Sequence, residues 1–335
     1  MATTLPLKKK DFVSDQDVRW CPGCGDYAIL AAIQKTMPTL GIPKEKFMFV
    51  SGIGCSSRFP YYMNTYGFHT IHGRAPALAT GIKSTNPELS VWLITGDGDG
   101  LSIGGNHLLH VLRRNLDITI LLFNNRIYGL TKGQYSPTSE VGKITKSTPL
   151  GSIDAPVNPL RFALASEATF VARTYDTDVK HMGEIFALAA AHKGVSFIEI
   201  LQNCVIFNDG AFQAQVDKKV RHDKLLYLEH GKPMTFGKGD TRGVKLRGLE
   251  LETATWNEGD EVPGDVLVHD ARAENSTLAY LLTQFEDPLP VGVFRQVDRP
   301  TYDEALNHQV QQAKSKKPAD LAQLYRAGAN TWTVK

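Results

Sequence analysis

Residues 91–136 read VWLITGDGDGLSIGGNHLLHVLRRNLDITILLFNNRIYGLTKGQYS, and the fold is decided there. Residues 91–95 are a short apolar run of the kind a strand covered on both faces carries, and it stops at Gly96-Asp97-Gly98-Asp99-Gly100. The glycines let the chain turn sharply and leave backbone amides free. Leu108, Leu109 and Leu112 recur at helical spacing before a second buried strand, 118–123, which ends at Asn124-Asn125. The pattern predicts one βαβ unit of an α/β fold, a mostly parallel sheet with helices on both faces. Crossovers of this kind are right-handed, so the carboxyl ends bearing Asp97 and Asn125 lie side by side, where open α/β sheets bind ligands.

One carboxylate and one amide oxygen converging at a sheet edge suit a hard cation. Magnesium takes octahedral oxygen ligands and usually keeps substrate phosphates among them. Asp97, Asn125 and a turn carbonyl such as that of Ile127 are therefore candidate ligands of a Mg-diphosphate, with the amides of Gly98 and Asp99 on the phosphates. Gly-Asp-Gly-Asp on its own is equally at home in a plain tight turn. The second strand ending in paired asparagines favours the ligand site.

Outward from this unit, Trp20-Cys21-Pro22-Gly23-Cys24-Gly25 forms a knuckle ahead of a predicted helix over 26–37, whose dipole favours thiolates at its start. A strand at 47–50 runs into the glycine turn Gly52-Ile53-Gly54-Cys55-Ser56-Ser57. A strand at 68–72 runs into Gly73-Arg74-Ala75-Pro76, which opens a small-residue helix. Residues 133–158 are rich in Ser, Thr, Pro and Gly and far longer than an ordinary connection, which predicts an active-site loop. Helices over 159–166 and 179–192 flank a strand at 170–173, and a strand at 196–201 closes the sheet with Cys204 at its carboxyl end. Residues 1–19 are expected to be a loosely held arm, 20–213 the cofactor-binding domain, and 214–335 an irregular, partner-contacting extension.

A chain of 335 residues, 42% hydrophobic, supports a sizeable core. A net charge of +2 argues against nucleic acid as a partner, and no apolar run reaches the length of a membrane span. Lys8-Lys9-Lys10 has no apolar run behind it, so a cytoplasmic protein without a secretory signal is expected. Cys21, Cys24, Cys55 and Cys204 are all the cysteines there are, and the turns that carry them are expected on one edge. Zinc sites commonly pair two CxxC motifs, whereas one CxxC with two distant cysteines is common for iron-sulfur clusters. On spacing alone a cluster, a zinc ion and unligated core thiols all stay open.

Residues 96–139, with CPGCG at 21–25 before them and QNCVIFNDGAF at 202–212 after them, resemble the β subunit of the 2-oxoacid:ferredoxin oxidoreductases. Within that family the likeness is greatest to the 2-oxoglutarate branch, and it runs from Trp20 to Tyr302. The resemblance implies a thiamine diphosphate-binding fold, thiamine diphosphate with Mg2+, and one 4Fe-4S cluster held by Cys21, Cys24, Cys55 and Cys204 beside the cofactor. It implies that Ile53, Gly54, Cys55, Ser56, His72, Gly73, Arg74, Ala75, Gly129 and Leu130 line the cofactor. Tyr128 and Tyr135 are expected to wall the pocket.

The implied reaction is the coenzyme A-dependent oxidative decarboxylation of 2-oxoglutarate to succinyl-CoA and CO2, with electrons leaving through the cluster to ferredoxin, or its reverse. The same chemistry on pyruvate is the alternative. A non-oxidative thiamine enzyme would share Asp97 and Asn125 but would not need four cysteines. In this family the glutamate that activates the cofactor lies on a separate pyrimidine-binding domain. Nothing in the chain resembles that domain, so an α subunit and an (αβ)2 assembly are implied. Lys132 stands in Leu130-Thr131-Lys132-Gly133-Gln134, where pyruvate-specific relatives typically carry Thr-Gly-Gly-Gln. With Leu130 it is expected at the reacting centre, pairing with the distal carboxylate of 2-oxoglutarate. Lys8 to Lys10, Arg19 and the basic cluster at 218–224 are expected to frame a ferredoxin landing site.

Overall fold

The computed structural model describes residues 6–316, 320–329, 332 and 334. Residues 1–5 of the expected arm and the remaining positions of the far C-terminal region lie outside the described residues. No helix among those described is long and apolar enough to cross a membrane.

In chain order the first strands are β1 (Phe47–Ser51), β2 (Tyr66–His69), β3 (Ser90–Gly96), β4 (Ile118–Asn124), β5 (Phe170–Tyr175) and β6 (Ser196–Leu201). Then follow β7 (Leu225–Leu228), the short β8 (Thr235–Phe236), β9 (Arg242–Arg247), β10 (Glu250–Thr255) and β11 (Leu289–Gln296). Eight of them make one sheet in the order β2-β1-β3-β4-β6-β5-β11-β7, and β10-β9-β8 make a small antiparallel sheet. Within the large sheet all neighbours run parallel except β11 against β5.

The helices are α1 (Asp26–Thr36), α2 (Ala75–Thr85), α3 (Gly105–Arg113), α4 (Pro159–Ala165) and α5 (Val179–Ala191), with further short helices and one at Tyr302–Lys316 beyond them. Alternate residues of the central strands enter two separate cores, as a sheet with period-two side chains covered on both faces requires. Leu93, Ile120 and Leu122 pack with α2, α3 and α4, while Trp92, Ile94, Leu121 and Phe123 pack with α1 and α5.

Three expectations change. The 196–201 strand does not close the sheet: β6 lies between β4 and β5, and β11 and β7 from beyond residue 213 extend the sheet further. The region after 213 therefore supplies part of the core, with Leu226, Leu228 and Phe294 buried among the α4-side residues. The described part of the arm, from residue 6, is not loose. Phe12 is fully buried edge-on against Phe47 at 5.6 Å, its carbonyl accepts from the Asn64 amide, and Leu7 and Val18 pack against the same core, the favourable place for large apolar side chains.

The register places the site. Gly96 lies opposite Phe123, and Asn124 opposite Leu201, so the turns after β3, β4 and β6 leave the same edge next to one another. The turns after β1 and β2 join them there.

Candidate active site

After β3 the chain passes through Gly96-Asp97-Gly98 into a π-helical turn, Asp99–Ile103, of a kind often found at functional sites. Asp97 is buried, and its Oδ2 accepts from Ser136 Oγ at 2.5 Å and Thr138 Oγ1 at 2.6 Å. Burial pushes the Asp97 carboxyl up to about 6, against the pull of those hydroxyls. The first stretch of the long loop after residue 133 is thus bound to the site it was expected to serve.

Of the paired asparagines, Asn124 faces into the sheet and donates to Glu199 at 2.7 Å, itself paired with Arg173 at 2.7 Å. Asn125 lies at the edge, where its Oδ1 accepts from the Ile127 amide at 3.1 Å. That oxygen keeps a second lone pair. Asp97, Asn125 and Ile127 line one cavity of about 90 Å³ together with Ile53, Gly54, Cys55, Ser56, His72, Gly98, Asp99, Gly129 and Leu130.

The Asp99 side chain, unlike its amide, had no role assigned from the sequence. It is buried and accepts at Oδ1 from the Ile53 amide (3.0 Å), the Gly73 amide (2.7 Å) and His72 Nδ1 (2.5 Å), and at Oδ2 from Thr95 Oγ1 (2.7 Å). One carboxylate thus ties together the turns after β1, β2 and β3. Gly73, at φ +70, sits so close to Gly104 that an added Cβ would stand 2.6 Å from the Gly104 nitrogen.

Gly73, Arg74 and Ala75 do not reach the cavity wall: Gly73 serves Asp99, Arg74 donates to the Ile103 carbonyl at 3.2 Å, and Ala75 is buried at the start of α2. Tyr128 is a wall residue and donates to the Gly98 carbonyl at 3.0 Å. Tyr135 lines neither cavity, and its hydroxyl donates to Asp154 at 2.7 Å.

A second cavity, about 200 Å³, is lined by Cys21, Cys24, Cys55 and Cys204 with Arg19, Trp20, Arg58, Lys132 and Gln202. It shares Asp26, Cys55, Asn125, Gly129 and Leu130 with the first. The hydrogen of Gly129 faces two sulfurs: a Cβ there would stand 3.5 Å from Cys204 Sγ and 3.6 Å from Cys55 Sγ. Burial and the neighbouring Asp26 charge raise the Cys24 thiol far above its ordinary range, and the same causes push Cys55 up to about 12. Asp26 itself, at the first turn of α1, is pushed by burial to about 7, and its Oδ1 has no hydrogen-bond partner. A bound metal centre would favour the deprotonated forms of such groups. Lys132, held at φ +76, borders this cavity rather than the first, and among the described residues it makes no ion pair.

Residues 52–200, which span these turns, match the family described as thiamine pyrophosphate enzyme, C-terminal TPP binding domain. The chain is 53% identical, over 99% of its length and 90% of the relative's, to the 2-oxoglutarate oxidoreductase subunit KorB of Mycobacterium tuberculosis. It belongs to the β subunits of the 2-oxoacid:ferredoxin oxidoreductases. A β subunit from a Sulfolobus species is 39% identical over 86% of this chain and 85% of its own. A solved 2-oxoglutarate:ferredoxin oxidoreductase from Magnetococcus marinus, with 2-oxoglutarate, coenzyme A and succinyl-CoA bound, superposes with a TM-score of 0.77 at 33% identity, covering 96% of each chain. This β subunit is accordingly part of a multi-subunit oxidoreductase with a thiamine diphosphate-binding domain.

The residues present fit the groups the family implies. Asp97, Asn125 and the Ile127 carbonyl form an all-oxygen donor set suited to Mg2+. The four cysteines line one cavity, a sulfur donor set suited to an iron-sulfur cluster or another thiophilic metal centre.

Proposed function

We propose that this β subunit serves a 2-oxoglutarate:ferredoxin oxidoreductase. In the reaction 2-oxoglutarate, coenzyme A and two oxidised ferredoxins give succinyl-CoA, CO2, a proton and two reduced ferredoxins; an ample supply of reduced ferredoxin would drive it backwards. The observation that carries the reading is the shared wall between the oxygen-lined and the thiol-lined cavities, formed by Cys55, Asn125, Gly129 and Leu130 with Asp26. Bound thiamine diphosphate supplies the chemistry that removes CO2 from a 2-oxoacid, and a 4Fe-4S cluster supplies single-electron transfer.

Asp97, Asn125 and the Ile127 carbonyl would hold Mg2+, with the Gly98 and Asp99 amides on the diphosphate and Ile53, Gly54, Ser56, His72, Gly129 and Leu130 around the cofactor. Cys21, Cys24, Cys55 and Cys204 would hold the cluster. Lys132, which borders the thiol-lined cavity and makes no ion pair among the described residues, is the specificity residue for the distal carboxylate of 2-oxoglutarate. The name of the Mycobacterium relative and the ligands of the Magnetococcus structure support this substrate.

An α subunit supplies the activating acid and covers the thiol-lined cavity, where Leu130 and Ile206 are exposed, and a second αβ pair completes the assembly in the cytoplasm. Arg19, Lys8 to Lys10 and the basic residues at 218–224 offer ferredoxin an electropositive approach. The test is ferredoxin reduction by the co-expressed complex with 2-oxoglutarate and coenzyme A. Pyruvate supporting equal turnover would overturn the substrate, and CO2 release without an acceptor would overturn the oxidative chemistry.

A further inference from the structure

Gln202, the first residue after β6, touches both cavities' machinery and has no part in the reading above. It is buried, and its place is set by register: Leu201 pairs with Asn124, and the Gln202 amide nitrogen donates to the Asn124 carbonyl at 2.9 Å. Its side chain consequently lies beside Asn125.

We propose that Gln202 is a positioning residue that couples the cation-diphosphate site to the cysteine site. Its Oε1 accepts from Asn125 Nδ2 at 2.8 Å, and its Nε2 donates to Cys24 Sγ at 3.2 Å. The inference rests on the proposed cluster and Mg-diphosphate assignments. The orientation of the amide is fixed by a third bond, because Nε2 also donates to the Asn203 carbonyl at 2.6 Å, and a flipped amide would set oxygen against oxygen there and nitrogen against the Asn125 amide hydrogens. Both Nε2 hydrogens and one Oε1 lone pair are used, with no slack for the side chain to turn away.

The physical consequence follows from the two ends. A cation on Asn125 Oδ1 polarises that amide, strengthens donation from Nδ2 to Gln202 Oε1, and through it donation from Nε2 to the sulfur, since hydrogen bonds in a buried chain reinforce one another. A donor to a cluster thiolate favours the reduced, more negative state, so filling the diphosphate site raises the cluster's potential. By linkage, reducing the cluster tightens the cation site by the same factor. Electron acceptance is thereby favoured when the cofactor site is loaded.

The experiment uses the co-expressed α and β complex, purified anaerobically, with the potential of the reduced cluster read by electron paramagnetic resonance with and without Mg2+ and thiamine diphosphate. In the wild type, loading should shift the midpoint upward. Gln202→Met, similar in size but without a donor, should lower the midpoint. At fixed solution potential the reduced-to-oxidised ratio falls about three- to tenfold, a tenfold change being roughly 59 mV for one electron. The response to loading should shrink as well. An unchanged midpoint, or a lowered midpoint with the full loading response retained, would overturn the coupling.

Should the variant lose its cluster, the wild type labelled with 15N in the glutamine side-chain amides decides instead. Magnetic coupling of that nitrogen to the reduced cluster is expected, and its absence overturns the proposal. A wild-type complex devoid of iron would refute the cluster assignment itself, a result distinct from either.

Discussion

Asp99 Oδ1 accepts a 2.5 Å hydrogen bond from His72 Nδ1, and the same oxygen accepts the backbone amides of Ile53 and Gly73. The carboxylate fixes the orientation of the His72 ring at the cavity wall through Nδ1. Three strand-end turns thus depend on one buried acid. Asp99→Ala is expected to lower stability by about 1–3 kcal/mol, the cost of leaving buried donors unpaired, and to weaken thiamine diphosphate binding at least tenfold. Calorimetry of unfolding and of cofactor binding checks both, and a variant with wild-type affinity would show that the turns hold without it.

Asp97→Ala and Asn125→Ala are expected to abolish Mg-dependent binding of thiamine diphosphate while leaving the iron content intact. Ser136→Ala and Thr138→Ala act one step removed and should weaken Mg2+ severalfold by releasing the carboxylate they hold. Equal metal affinity in all four variants would contradict the oxygen-ligand assignment.

The buried pair of Arg173 and Glu199, at 2.7 Å across β5 and β6, also holds Asn124 directly below the site. Removing one partner strands the other charge, so Glu199→Ala should cost roughly 3–5 kcal/mol in a denaturant titration. A loss below about 1 kcal/mol, as for a surface pair, would mean water reaches Arg173.

Lys132→Ala should lower kcat/KM for 2-oxoglutarate by roughly ten- to a hundredfold and for pyruvate or 2-oxobutyrate much less, since a charge-assisted hydrogen bond contributes on the order of 1.5–3 kcal/mol. A uniform loss across the three acids would show that Lys132 does not read the distal carboxylate.

The βαβ unit at the centre was legible because both its strands are uniformly apolar and both end in polar turns, leaving one geometry for Asp97 and Asn125. What the sequence hid came from register and from local departures. The strand expected at 68–72 is Tyr66–His69, because the chain leaves the sheet early to carry His72 to Asp99. β11 was missed because LPVGVFRQ contains Pro290, which cannot donate to a ladder, and Gly292 at φ +110, so it reads as a turn-rich segment although it is buried. The roles of Ser136, Thr138 and Gln202 have no local signature. They arise where a loop or a neighbouring strand happens to land, and only pairing of Asn124 with Leu201 makes Gln202 a neighbour of Asn125.

The most direct measurement is the iron and thiamine diphosphate content of the anaerobically purified complex, wild type beside Cys204→Ser. Cys204 lies far along the chain from Cys21 and Cys24 yet borders the same cavity. A shared site predicts about four iron atoms per β subunit in the wild type, and their loss from the variant with thiamine diphosphate still bound. Full iron in Cys204→Ser, or a zinc ion in place of iron in the wild type, would contradict a four-cysteine cluster beside the cofactor.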